Sequence, residues 1–167
     1  MKKIFLLLSA ISTLAVTSCG NDDDYVDYDT YPEVFDVTDV DFVPEAETGR
    51  YAAYVPLEPA IFSSDVVLVY RETVDDGTVV WQPIPRTLYL DNGEEVDYDF
   101  NFTQNDVLLF MGSTYDLAET PQFTQNQVFR IVLVPGWVAQ SLDTNDYNAV
   151  MSAMEEQNGP VQIETLK

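Results

Sequence analysis

The chain has 167 residues, 29 acidic against seven basic, and a formal charge of −22. Such a surface repels nucleic acid and anionic membrane faces, so neither is an expected partner; it favours basic proteins or divalent cations and aids solubility. Histidine is absent and cysteine occurs once, which removes the commonest general base, the usual zinc ligand, every histidine-dependent triad and any intrachain disulfide.

The first residues have the layout of an export signal. Lys2 and Lys3 give a positive start, residues 4–16 are apolar apart from Ser9, Ser12 and Thr13, and small residues then lead into Cys19. A membrane-crossing helix needs about 20 apolar residues, so this shorter run reads as a cleavable signal peptide over 1–18. Val16-Thr17-Ser18-Cys19 resembles the lipobox of bacterial lipoproteins. That resemblance implies cleavage before Cys19 and a diacylglycerol on its sulfur, a palmitate-type anchor to the membrane. Two or more acyl chains hold stably where one holds only marginally.

Gly20 stands where enterobacterial lipoproteins of the retained class carry aspartate, so the resemblance points to the outer membrane. Asp22, Asp23 and Asp24 follow, an acidic patch similar to the export signal that sends Bacteroidetes lipoproteins to the cell surface. Read simply as a solvated linker, the same run carries no address. The expected location is therefore the outer membrane, facing either the periplasm or the cell surface. Residues 19–32, with Tyr25, Tyr28 and Tyr31 among acids and no apolar face, read as a disordered tether.

From Glu33 the pattern turns to β, and 33–167 reads as one domain. Val34, Phe35, Val37, Val40 and Phe42 form a first strand-like stretch, and 51–57 a second. Val66-Val67-Leu68-Val69-Tyr70 is continuously apolar and β-branched, the pattern of a central buried strand. Asp76-Gly77 separates it from Val79-Val80-Trp81. Asn92-Gly93 separates Thr87-Leu88-Tyr89-Leu90 from the alternating Val96, Tyr98, Phe100 and Phe102. Both dipeptides predict hairpins with φ above zero at the glycine. Pro83 and Pro85 flank Ile84, which predicts an edge or a bend where the chain changes sheet.

Residues 107–111 and 128–134 are further strands, and 66–70 and 128–134 are expected to be the most buried. Phe102-Thr103-Gln104-Asn105 recurs at 123–126; this reads as two similar leads into strands rather than a duplicated unit. Tyr147, Val150, Met151 and Met154 share one helix face, with Asp146 placed to cap it and Asn158-Gly159-Pro160 to stop it. That face is expected to dock on the body, although a methionine-rich stripe also suits a partner. Residues 161–166 resemble a last strand. The predicted fold is mainly β: an antiparallel two-sheet sandwich, Ig-like in general architecture, with one short C-terminal helix.

Two segments, 65–71 (Asp-Val-Val-Leu-Val-Tyr-Arg) and 123–135 (Phe-Thr-Gln-Asn-Gln-Val-Phe-Arg-Ile-Val-Leu-Val-Pro), resemble a group of uncharacterised lipoproteins of Flavobacteriia. The likeness runs over most of the domain, including 147–154. It implies the anchor and a bacterial envelope setting, and it brings no known activity.

Chemistry is sparse. Asp36, Asp39 and Asp41 cluster, as do Asp91, Glu94, Glu95, Asp97 and Asp99. The second group makes weak calcium candidates, because hard cations take several carboxylates; neither group has EF-hand spacing, and solvated strand faces account for both. No metal and no cofactor are therefore expected. Paired carboxylates also suit a glycosidase, but 29 acids produce pairs without purpose. Arg71 and Arg130 are the only cations inside apolar strand segments; they either clamp an anion or pair with carboxylates. The expected function is a lipid-anchored, non-catalytic binding or accessory module of unknown ligand, with a possible protein partner in the envelope. The alternative is a carboxylate-dependent glycan hydrolase of the cell envelope.

Overall fold

The computed structural model describes residues 32–158 and 163–166. Residues 1–31, where the signal peptide, Cys19, Asp22, Asp23, Asp24 and the tether are expected, lie outside the described residues, as do Gly159 and Pro160. Pro32, assigned to the tether by the sequence, is already buried.

In chain order the strands are β1 (Glu33–Val40), β2 (Val43–Pro44), β3 (Tyr51–Pro56), β4 (Val66–Asp75), β5 (Thr78–Pro83), β6 (Arg86–Tyr89), β7 (Glu95–Phe102), β8 (Asp106–Ser113), β9 (Gln127–Val134) and β10 (Ile163–Leu166). They form two five-stranded sheets, ordered β10-β1-β9-β4-β5 and β2-β3-β8-β7-β6. The chain is thus a mainly β, two-sheet sandwich. Strand pairing is antiparallel throughout, apart from β10, which lies parallel to β1. Two one-turn helices, α1 (Pro121–Thr124) and α2 (Gly136–Ala139), precede the longer α3 (Tyr147–Asn158).

Both turn dipeptides close hairpins. Asp76 (φ 47°) and Gly77 (φ 79°) are both left-handed between the paired Asp75 and Thr78, the two-residue turn whose twist suits flanking strands. Gly93 (φ 86°) ends a three-residue loop in which its N–H donates to Leu90 O at 2.9 Å and Leu90 N–H donates to Glu94 O at 2.8 Å. The proline-flanked Ile84 is both things the sequence allowed. It joins β5, the edge of one sheet, to β6, the edge of the other, and its side chain is buried while its N–H donates to Val69 O. The repeated tetrapeptide also leads into strands twice, by different backbones: Thr103 closes the β7–β8 hairpin, whereas Asn126 takes a left-handed φ of 52° before β9.

Two cores hold the layers. Phe35, Val67, Val69, Phe129 and Ile131 of the first sheet meet Val96, Tyr98, Val107, Leu109 and Met111 of the second. On the first sheet's other side, Val34, Tyr70, Val132 and Val134 pack under Val138, Val150 and Met154. The helix face read from the sequence therefore docks on the body, and Asp146 Oδ1 caps α3 by accepting from Asn148 N (2.9 Å) and Ala149 N (3.2 Å). Strand β9, covered on both faces, is buried everywhere except Val128. The expectation for 66–70 needs correction: Val66 and Leu68 are only half-buried, whereas β8 buries Val107, Leu108, Leu109 and Met111. The reason is position, since β8 is the middle strand of its sheet and β4 lies next to an edge strand.

Gly77 and Gly112 make a matched pair for testing the hairpin. A Cβ at either would meet open space or ordinary contacts, but only Gly77 has a positive φ. Gly77→Val is expected to cost about 1–2 kcal/mol, from the clash of Cβ with its own backbone. Gly112→Ala should leave the urea midpoint unchanged or raise it slightly. Equal midpoints for wild type and Gly77→Val would refute the left-handed turn.

Candidate functional site

Arg130 stands on the helix-covered face of β9, where a free charge would be costly. Its Nε and Nη2 donate to Asp36 Oδ1 (2.8 Å) and Oδ2 (3.0 Å), Nη1 bonds the Tyr147 hydroxyl, and the guanidinium stacks 4.0 Å from the Trp81 ring centroid. Burial opposes the charge, but Asp36 and Tyr147 outweigh it and hold the pKa of Arg130 above its ordinary value. This residue joins β1, β5, β9 and α3, and its guanidinium is taken up by partners of the protein itself. Asp36→Ala should cost about 3 kcal/mol by stranding it, while Asp36→Leu combined with Arg130→Met should recover most of that loss. A urea-denaturation cycle in which the double variant is no better than Asp36→Ala would show that the pair is not the source of the cost.

Arg71 faces the other core and finds no carboxylate among the described residues. Its Nε and Nη2 donate to Gln127 Oε1 (3.1 and 2.7 Å), and its guanidinium lies 4.5 Å from the Tyr98 ring centroid. Gln127 Nε2 in turn donates to the carbonyls of Gln122 and Gln125 at the helical turn α1, and Tyr98 Oη donates to Phe123 O at 2.7 Å. The arginine therefore fastens the loop before β9 rather than clamping an anion. Burial pushes the Tyr98 hydroxyl up to about 12 against the opposing pull of Arg71. Tyr70, also raised to about 12 by burial and then by Tyr147 and Asp146, has a buried hydroxyl with no hydrogen-bond partner among the described residues.

These two tyrosines set a pH dependence. Both are harder to ionise folded than unfolded, where the value is about 10, so their contribution is complete below pH 10 and lost as pH rises toward 12. Tyr98→Phe should lower stability by about 1 kcal/mol through its lost hydrogen bond, whereas Tyr70→Phe, which removes an unsatisfied hydroxyl, should be neutral or stabilising. Denaturation at pH 8, 10 and 11.5 checks both; a flat stability across that range would contradict the burial argument.

The acidic candidates are dispersed. Asp36 serves Arg130, Asp41 Oδ1 accepts from Asn126 N at 2.9 Å, and Asp39 sits at φ 58° in the bulge of β1. Glu94 is held by Asn92 in the turn that contains Asp91, and Glu95 N–H donates to Thr114. Among the described residues no three carboxylates converge as a metal would need. Asp97 and Asp99 share one cleft. Their neighbours Val96 and Tyr98 are buried between the sheets, so strand alternation puts both aspartates on the second sheet's outer face.

That face carries a cleft of about 800 Å³, bounded by Arg50, Arg86, Thr87, Asp97, Asp99, Phe110, Gly112, Tyr115 and Asp116 among others. Its wall is built from the 45–50 loop. Thr48 Oγ1 donates to Glu45 Oε2 (2.7 Å), Arg50 Nη2 lies 3.3 Å from the same oxygen, and the guanidinium covers the Phe110 ring at 4.4 Å. The Thr48 hydrogen bond, then Arg50, lowers the Glu45 pKa against partial burial. On the floor, Asp97 Oδ1 accepts from Thr87 Oγ1 at 2.5 Å and Asp99 Oδ1 from Phe100 N at 2.7 Å. A smaller cavity of about 220 Å³ lies among Glu33, Phe35, Pro56, Leu57, Glu58, Pro59 and Leu133.

Arg50 and Arg86 carried no local signal of a site in the sequence, and Gly112 carried one. The available signal was an isolated glycine inside the apolar run of β8, which marks a bulge or a close approach. By fold the chain is a β-sandwich with one sheet covered on both sides and a cleft on the open side of the other. No protein-family model, curated protein or solved structure matches it. Among the described residues no helix is long and apolar enough to cross a membrane.

Proposed function

We propose that this protein is a lipid-anchored, non-catalytic binding module of the bacterial outer membrane, tethered through Cys19, with the cleft of the second sheet as its binding surface. The observation that carries the reading is the asymmetry of the two sheets. The first is packed against the second sheet on one side and against α2 and α3 on the other, so it has little surface to offer. The second leaves Tyr54, Tyr89 and Gly112 exposed, with Gly112 lining the cleft, a concave surface of the size at which ligands bind.

The order of Lys2 and Lys3, the apolar run, the small residues and Cys19 supports the anchor, as does the resemblance to Flavobacteriia lipoproteins. Asp22, Asp23 and Asp24 suit export to the cell surface, where the module would serve an envelope partner.

Cys19→Ala is expected to leave unprocessed precursor and empty the membrane-bound pool. Replacing Asp22, Asp23 and Asp24 with asparagine should make the protein resistant to protease added to intact cells. A photocrosslinking residue in place of Tyr89 should capture an envelope component, and one in place of Val79, on the first sheet, should not. Membrane association unchanged by Cys19→Ala would overturn the anchor. Equal capture from both positions would overturn the cleft, and release of reducing ends from envelope glycans would replace binding with hydrolysis.

A further inference from the structure

We propose that the cleft takes an uncharged, hydroxyl-rich ligand, a neutral glycan. The inference rests on the reading of the cleft as the binding surface and adds the chemistry of what enters it. Four observations converge.

Arg86 is exposed at the cleft and makes no ion pair among the described residues. In a chain with 29 acidic residues, the other three described arginines are all engaged: Arg50 with Glu45, Arg71 with Gln127 and Arg130 with Asp36. Its guanidinium offers several donors to whatever occupies the cleft.

The floor offers acceptors. Asp97 and Asp99 each use Oδ1 within the sheet, toward Thr87 and the backbone, which fixes the carboxylates and leaves the Oδ2 atoms for a ligand.

Gly112 is the third. Pairing runs unbroken from Val96–Ser113 to Phe102–Val107, so the glycine marks no bulge, and it lacks a positive φ. No other backbone comes within 4 Å of where its Cβ would be; the nearest atom is Asp97 Oδ2 at 3.5 Å. Neither torsion nor packing demands glycine there. Its effect is to keep open the floor beneath the free Asp97 oxygen, as a strand does where a ligand approaches closely.

The balance of charge supplies the class. A polyanion would meet Asp97, Asp99 and Asp116 within a chain of charge −22, and a polycation would meet the unpaired Arg86. A hydroxyl both donates and accepts, so a sugar ring satisfies the aspartates and Arg86 together, and its C–H faces suit the Tyr115 wall.

The test is calorimetric titration of the full chain in detergent micelles. The probes are cellohexaose, maltohexaose and mannohexaose as neutral glycans, oligogalacturonate and chitosan oligomers as charged ones, and a lysine-rich peptide. At least one neutral glycan should bind saturably. Gly112→Leu, which fills the floor without backbone strain, and Arg86→Ala should each weaken it at least tenfold while the melting midpoint stays put. Should Gly112→Leu fail to fold, Arg86→Ala decides, because that side chain is exposed and unpaired. Charged glycans or the peptide binding in place of neutral ones, with the same sensitivity to Gly112→Leu, would overturn the glycan class and keep the cleft. Neutral binding indifferent to both variants would overturn the cleft itself. No binding from any probe would overturn the glycan class, leaving the cleft to be judged by crosslinking.

Discussion

Strand β9 has no side that faces water, and most of the architecture follows from that. Phe129, Ile131 and Leu133 fill the space between the sheets, while Val132 and Val134 require a second cover, which α2 and α3 provide. A strand buried on both faces cannot alternate polar and apolar residues, so the sequence there is nearly continuous hydrocarbon. The one charge it carries in that run, Arg130, has to be neutralised by groups arriving from elsewhere. Asp36 comes from the neighbouring strand, Trp81 from the far edge and Tyr147 from the helix, so one buried cation fixes the relation of three elements to a fourth.

The second sheet is under no such demand. Its inner face needs apolar residues, but its outer face is free to carry aspartate, threonine, tyrosine and glycine. This division of labour separates stability from recognition. Substitutions on the first sheet act through packing or stranded charge, whereas the outer face of β7 and β8 can change without disturbing either core. It also explains why rigid side chains line the cleft: Arg50 is held by Glu45 and Phe110, and Asp97 by Thr87, so little ordering remains to be done on binding.

Local signals in the sequence were enough for the hairpins, the sheet-changing bend at Ile84 and the cap of α3, because each depends on a few neighbouring residues. The relative burial of β4 and β8 was not legible, since it depends on strand order and nothing in 66–70 states that β4 adjoins an edge. The cleft was legible only in part. Asp97 and Asp99 drew notice in the sequence only as part of an acidic run read mainly as a solvated strand face, because nothing local shows which of those carboxylates the sheet brings to the cleft. Arg50 and Arg86 lie 36 positions apart and line one cleft only because the Pro-flanked bend carries the chain into the second sheet.

The smaller cavity fixes a direction within the sandwich. It brings Glu33, the start of β1, beside Pro56 at the end of β3, whereas Tyr51 at the other end of β3 borders the cleft. Five strand residues, roughly 17 Å at about 3.3 Å each, therefore separate the level at which the chain joins the domain from the level of the cleft. Under the proposed attachment through Cys19, the domain would be held at the Glu33 end of the sandwich, and the cleft would open at the far end, away from the bilayer.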